Sequence, residues 1–383
     1  MKKTLLTICL VWMCFSLSAQ KIIDLSGKWS FSIDRQDNGE KEKWFSHTLN
    51  DFINLPGSMP EKQKGDEVTA KTQWTGSLYD SSYYYNPYME KYRKEGNIKF
   101  PFFLTPDKHY VGAAWYQKEV NIPADWKGER ILLFLERPHI ETTVWVNGQK
   151  TGMQNSLCVP HQYDITRYVR PGKCTITIRV DNRIKEINVG PDSHSITDQT
   201  QGNWNGIVGR ICLQTTPKTY FDDIQIYPEP EQKLARVKVV IKGTGTAKVK
   251  LSAESFNTDK KHIVPAIQQE IKLNKGVTET EMVLPMGNDM LLWDEFHPAL
   301  YKLKAEVTNG KKTEIKEIQF GMRRFEIKGK WFYVNGRKTQ LRGTVENCDF
   351  PLTGYAPMDV ESWERVFRIC RSYGLNHMRF HSF

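Results

Sequence analysis

The chain has 383 residues, of which 39% are hydrophobic, 26% charged and 12% aromatic, and its formal net charge is +10. That length suits two or three domains, and that composition excludes a disordered, collagenous or coiled-coil chain. Lys and Arg are interspersed with Asp and Glu rather than gathered into stripes, which argues against nucleic acid as a partner. No apolar run beyond the N-terminus reaches the ~18–20 residues of a membrane span.

Residues 1–19 read as a signal peptide. Lys2 and Lys3 form a positive start, Thr4 to Phe15 is apolar, and Ser16-Leu17-Ser18-Ala19 offers small residues for cleavage after Ala19. The expected location is periplasmic or secreted. The mature chain keeps Cys158, Cys174, Cys212, Cys348 and Cys370. An odd number with no C-x-x-C pair suits small buried hydrophobes better than a disulfide framework or a zinc site. His377 and His381 lie close together but on a strand-like segment, so no metal site is predicted.

From Lys21 to about Tyr227 the signals are those of strands. Thr142-Thr143-Val144-Trp145-Val146 and Ile176-Thr177-Ile178-Arg179-Val180 alternate, and Asn147-Gly148 marks a hairpin turn. Leu55-Pro56-Gly57, Ile122-Pro123-Ala124 and Arg170-Pro171-Gly172 punctuate the rest. Residues 20–228 are therefore expected to form one large β-sandwich of jelly-roll type. Between Trp74 and Tyr110 sits an insertion rich in tyrosine: Tyr79, Tyr83, Tyr84, Tyr85, Tyr88 and Tyr92. It reads either as a loop covering the sandwich edge or as an aromatic wall near a sugar site.

Pro228-Glu229-Pro230-Glu231 reads as a linker. Residues 229–320 then carry short strand signals, among them Val237–Val240, Val249–Leu251 and Glu279–Leu284, consistent with an immunoglobulin-like sandwich. From 321 to 383 the pattern changes. Gln340–Val345 reads as a strand, and Asp359 as the cap of a helix whose Val360, Trp363, Val366, Phe367, Cys370 and Tyr373 share a face. Leu375–Phe380 reads as a second strand. One such βαβ unit has little to pack against by itself. The expectation is therefore a fragment, or completion by another chain.

These residues, in this order, resemble the N-terminal half of the family 2 glycoside hydrolases, the β-galactosidase, β-glucuronidase and β-mannosidase group. The resemblance rests on Leu55-Pro56-Gly57-Ser58, Ala114-Trp115-Tyr116-Gln117-Lys118, Val144-Trp145-Val146-Asn147-Gly148, Tyr163-Asp164-Ile165-Thr166 and Asn203-Trp204-Asn205-Gly206. It continues through Phe320-Gly321-Met322-Arg323, Phe332-Tyr333-Val334-Asn335-Gly336, Leu341-Arg342-Gly343 and Tyr373-Gly374-Leu375-Asn376 to Arg379. It implies a mainly β chain: a jelly-roll sugar-binding domain, an immunoglobulin-like sandwich, then the first βαβ unit of a (β/α)8 TIM barrel. The implied activity is hydrolysis of terminal β-linked sugars, β-galactosidase-like and retaining.

Where galactosidases and glucuronidases of the family carry an Asn and a His-Glu after the Arg-Gly, this chain has Thr344-Val345-Glu346-Asn347-Cys348-Asp349. Where they carry Ser-His after the second-strand Arg, it has Phe380-His381-Ser382. The resemblance places Arg342, Glu346, Asn347, Arg379 and His381 as substrate contacts at the C-terminal ends of the first two barrel strands. It places Asp198, Asn203 and Trp204 on a jelly-roll loop approaching the barrel mouth. For Trp204, stacking against a sugar ring and burial in the sandwich both stay open. The family's two catalytic glutamates belong to barrel strands 4 and 7, so no catalytic residue is assigned in these 383. Glu346 and Asp349 read as a loop acid pair. No cofactor is called for, and the expected partner is a carbohydrate substrate. A homo-oligomer is open for the full-length enzyme, and a non-catalytic carbohydrate-binding or scaffold protein is the alternative.

Overall fold

The computed structural model describes residues 20–75, 81–185, 197–198 and 202–381. The expected signal peptide at 1–19 and Tyr79 of the aromatic stretch lie outside the described residues. The chain divides into two compact units, one built from 21–216 together with 326–383 and the other from 217–325.

In 21–216 two sheets face each other. The six-stranded sheet runs in the order Gln149–Asn155, Glu141–Val146, Gly172–Asp181, Ala113–Ile122, Gly27–Asp34, Asp51–Leu55. The other is built on Arg130–His139 and Gly206–Thr216, with Ile22–Asp24, His161–Asp164 and Gly57–Ser58 alongside. Alternation explains what fills the space between them. Ile176, Ile178 and Val180 point inward to meet Leu133, Leu135 and Leu213. The neighbouring Tyr116 joins this core, while Trp115 turns to the opposite face and is buried under Leu49, Trp44 and Phe45 beside Trp145. Asn147 and Gly148 have φ of 50° and 77°, the positive pair that a two-residue hairpin turn requires.

The second unit is also a β-sandwich, but its strands are longer than the sequence suggests. The expected short strands at 237–240 and 249–251 are parts of a single one, Leu234–Phe256. A register shift between Gly243 and Gly245 lets its first half pair with Tyr220–Glu229 and its second half with Leu300–Asn309. The expected linker at 228–231 is corrected by the same pairing. Tyr220–Glu229 is a strand of this second sandwich, and Pro230–Gln232 is the turn that folds it back. At the other end Phe320 and Met322 are core residues here.

The remaining segment holds the expected strand, helix and strand. Gly343–Glu346 and His377–Phe380 pair in parallel, with Val345 opposite Arg379, and the helix Val360–Ser372 connects them. Asp359 caps the helix by accepting from the Ser362 amide at 2.7 Å. Among the described residues no helix is long and apolar enough to cross a membrane.

Candidate active site region

The loop that follows the strand Gly343–Glu346 is seated on the jelly roll. Ser58 Oγ donates to the Thr353 carbonyl at 2.6 Å, and the Tyr355 hydroxyl donates to Glu61 Oε2 at 2.9 Å. Gly354, at φ +84°, lies against Trp204 and Pro106. The Tyr355 ring sits 5.5 Å from that of Trp204, and on Trp204 the His139 ring stacks at 4.6 Å and 17°. Trp204 is 1% exposed. It therefore takes the buried alternative: its neighbours are protein rings, and it joins barrel loop to sandwich instead of offering a surface to a sugar.

The adjoining positions are polar and incompletely paired. Among the described residues Arg137 Nε and Asp349 Oδ1 are buried without a hydrogen-bond partner, and the Asn203 side chain lies against the buried His139 ring. Burial, reinforced by the Arg137 charge, pushes the His139 imidazole down to about 3, so it is neutral at physiological pH. Burial, then the Glu346 charge, pushes the Asp349 carboxyl above its ordinary value. Burial pushes the Cys348 thiol up to about 12. Arg137, His139, Ser58, Glu61 and Tyr355 were not foreseen from the sequence. Of the five only Ser58 falls in a stretch singled out there, Leu55-Pro56-Gly57-Ser58, and long-range pairing creates the roles of all of them.

Beside Asn203 opens a cavity of about 780 Å³. Its wall includes Trp74, Thr75, His109, Tyr110 and Val111 from the insertion, together with Arg35, Asp66, Arg183 and Asn203. Arg35 donates to Asp66 at 2.6 Å, and Arg183 is held by Asp181 and Asp37. Burial alone would raise the Asp181 carboxyl, but hydrogen bonds from Arg183 and Lys185 outweigh it and hold the group well below its usual range. Asp198 is buried and already committed. It accepts from the Thr75 amide at 2.5 Å and the Thr75 hydroxyl at 2.8 Å, and His109 Nε2 lies 3.4 Å away. It fixes the insertion to the sandwich. Asn203 donates to the Asn182 carbonyl at 2.8 Å beside the cavity.

The candidate residues of the strand–helix–strand segment fall into two groups. Arg342 was expected at the C-terminal end of its strand and is instead at the N-terminal end, one residue before Gly343. Its guanidinium donates to the Gly374 carbonyl at 2.8 Å, and its amide donates to Asn376 Oδ1, so it braces the helix-to-strand turn. Glu346 and His381 do lie at the C-terminal end, where the His381 amide donates to the Glu346 carbonyl at 2.8 Å. Glu346 Oε1 accepts from the Cys348 amide at 3.0 Å, so one member of the loop acid pair bonds to backbone. Asn347 follows it, exposed. Phe380 packs toward the helix against Trp363 at 5.5 Å, so alternation sends Arg379 to the face away from the helix. Cys174, Cys212 and Cys348 are buried as expected of small hydrophobes, while Cys158 is exposed; all five cysteines are free thiols. Among the described residues no group of three or more His, Cys, Asp or Glu side chains is arranged to hold a metal.

Two sandwiches followed by a parallel strand–helix–strand segment place the chain among multidomain, mainly β proteins. The chain belongs to glycosyl hydrolases family 2: the sequence signature "Glycosyl hydrolases family 2, sugar binding domain" matches residues 22–217, and "Glycosyl hydrolases family 2" matches 219–323. It is 24% identical over 355 residues to a β-glucuronidase of Paenibacillus borealis, covering 88% of this chain and 51% of that protein. It is likewise 24% identical to the human β-glucuronidase, over 93% of this chain and 53% of that one. With a β-galactosidase of Thermoanaerobacter pseudethanolicus it shares 24% identity, over 74% and 38%. Its fold is similar to that of a Ruminococcus gnavus β-glucuronidase solved in complex with D-glucaro-δ-lactam, with a TM-score of 0.67, 19% identity, and coverage of 95% of this chain and 56% of that one. The chain thus spans about half the length, or less, of the curated relatives it matches.

Proposed function

We propose that the protein is an exported glycosidase that hydrolyses terminal β-linked sugars with retention, and that the 383 residues bind carbohydrate but do not cleave it alone. The observation that carries this reading is the seating of the first barrel loop, 347–358, on Trp204 and Ser58 of a family 2 sugar-binding sandwich. That seating is the arrangement a composite site needs, with sandwich and barrel contributing to one mouth. Retaining hydrolysis requires two carboxyls about 5–5.5 Å apart, one ionised nucleophile and one protonated acid. Glu346 accepts from the Cys348 amide, while burial and the Glu346 charge raise the Asp349 carboxyl; both belong to the short loop after one strand, and neither is assigned to the chemistry. The resemblance puts the reactive glutamates on barrel strands 4 and 7, outside these residues. Export rests on the N-terminal Lys2-Lys3, the apolar run and Ala19.

Assays with aryl β-galactoside, β-glucuronide and β-mannoside test both halves of the reading. The 383-residue chain is expected to stay at the blank rate, and turnover well above it would overturn the assignment of chemistry elsewhere. The full polypeptide encoded by the gene that contains these 383 codons is expected to cleave one of the three with retained anomeric configuration; inertness toward all three would sink the glycosidase reading. A carbohydrate-binding protein without catalysis is the second reading, favoured by the 780 Å³ cavity, which lies wholly within residues of the sandwich.

A further inference from the structure

The tyrosine-rich insertion resolves into two layers. Trp74, Tyr83, Phe100 and Phe102 form a small core of their own, with Tyr83 stacked on Phe100 at 5.5 Å. Hydrogen bonds fix the overlying turns: Arg93 donates to the Tyr83 carbonyl, Asn86 Oδ1 accepts from the Tyr88 amide, and Asn97 donates to the Lys91 carbonyl. On this ordered base three rings face solvent, Tyr84 at 53%, Tyr85 at 84% and Tyr88 at 83% exposure. They are the only large hydrophobic side chains that residues 81–97 expose.

We propose that Tyr84, Tyr85 and Tyr88 form a platform that binds an oligosaccharide chain by ring stacking, extending the carbohydrate site outward from the cavity. The proposal rests on the reading that the sandwich handles carbohydrate, and names a second place where it does so. Three features favour a glycan as the occupant. The large apolar side chains that residues 81–97 expose are all phenols, with an apolar face for a sugar ring and a polar tip for its hydroxyls. The platform is held in place by its own core, so binding costs little ordering of the chain. The same buried rings tie it to the cavity wall: Trp74, which lines the cavity, meets Tyr83 edge-on at 5.4 Å, and Tyr83 meets Tyr84 edge-on at 5.0 Å.

Calorimetry of the 383-residue chain with cello-, galacto- and manno-oligosaccharides of one to six units tests this. Affinity in one series is expected to rise with length. Tyr85→Ala with Tyr88→Ala is expected to weaken the longest member by about 10-fold while leaving the monosaccharide unchanged. The Tyr85→Phe and Tyr88→Phe pair, which keeps the ring faces, is expected to retain most of the affinity. No length dependence in any series, or an alanine pair that binds like the parent chain, would overturn the platform. So would an alanine pair that instead dissolves a dimer of the parent chain in sedimentation. None of these results bears on hydrolysis of aryl monoglycosides, so this proposal and the glycosidase reading fail separately.

Discussion

The sandwich of 21–216 and the strand–helix–strand of 343–380 follow equally regular hydrophobic patterns and reach opposite states. In the sandwich, Ile176, Ile178 and Val180 alternate along one strand and each is fully buried, because a second sheet stands opposite. In the helix Val360–Ser372 the apolar residues recur at helical spacing, yet none is buried, and Val345 and Phe380 on the strands beside it are about half exposed. Periodicity specifies which face is apolar, while burial depends on a layer to meet it. Two parallel strands and one helix supply too little of that layer. What holds this segment is its attachment to the sandwich through Trp204, Tyr355, Ser58 and Glu61, and predictions that probe that attachment carry the largest effects.

Trp204→Ala is the sharpest of them. It removes a fully buried ring that touches both His139 and Tyr355, so it is expected to cost about 3–5 kcal/mol in denaturant unfolding. Amide exchange in 350–358 is expected to accelerate more than exchange in Gly172–Asp181. Equal acceleration in both would mean that Trp204 is an ordinary core residue and not the join.

Acidification probes the sandwich through two buried histidines, His139 on Trp204 and His161 at the start of the strand His161–Asp164. Burial lowers His139 to about 3 and His161 to about 4, both below the ~6.5 of an unfolded histidine. The folded state therefore binds fewer protons than the unfolded one between these values. Their contribution is complete above about pH 6.5 and is lost as pH falls toward 4. Each of the two rings is expected to lower stability by roughly 1 kcal/mol per pH unit in that window. His139→Gln and His161→Gln are each expected to flatten the slope; an unchanged slope in both would show that the rings are already charged or open to water.

The readable and unreadable parts of the sequence divide along similar lines. Asn147-Gly148, the cap at Asp359 and the alternation around Ile176 are local signals, and each fixes its own few residues. The two short apolar runs at 237–240 and 249–251 belong to one strand, Leu234–Phe256, because Gly243 and Gly245 stay paired with Gly276 and Leu273 of Ile263–Pro285 and only shift the register there. The turn at Pro230–Gln232 looks like a domain linker for the same reason: proline and charge mark a bend, and long-range pairing decides what the bend joins. Among the candidate site residues, Asp198 and Trp204 were singled out as contacts for a sugar, but the roles found for them, an anchor for Thr75 and a join to Tyr355, depend on partners 123 and 151 residues away in the chain. Arg342 sits at the wrong end of its strand for substrate because the strand begins at Gly343, later than the apolar pattern suggests.

The smallest expected effect tests the other side of the comparison. Phe367 stacks on Trp363 at 5.9 Å, but 44% of it meets solvent, so much of its transfer free energy is already unrealised in the folded chain. Water can also occupy the space that truncation leaves, so no sealed cavity forms. Phe367→Ala is therefore expected to cost under about 1 kcal/mol, against the 3–5 kcal/mol of a buried aromatic. The measurement is the denaturant midpoint of the 383-residue chain at constant slope. A loss near 3 kcal/mol would mean that the helix face is packed in solution, against a second chain or against the sandwich, and the contrast between the two regions would then lie in the partner and not in the fold.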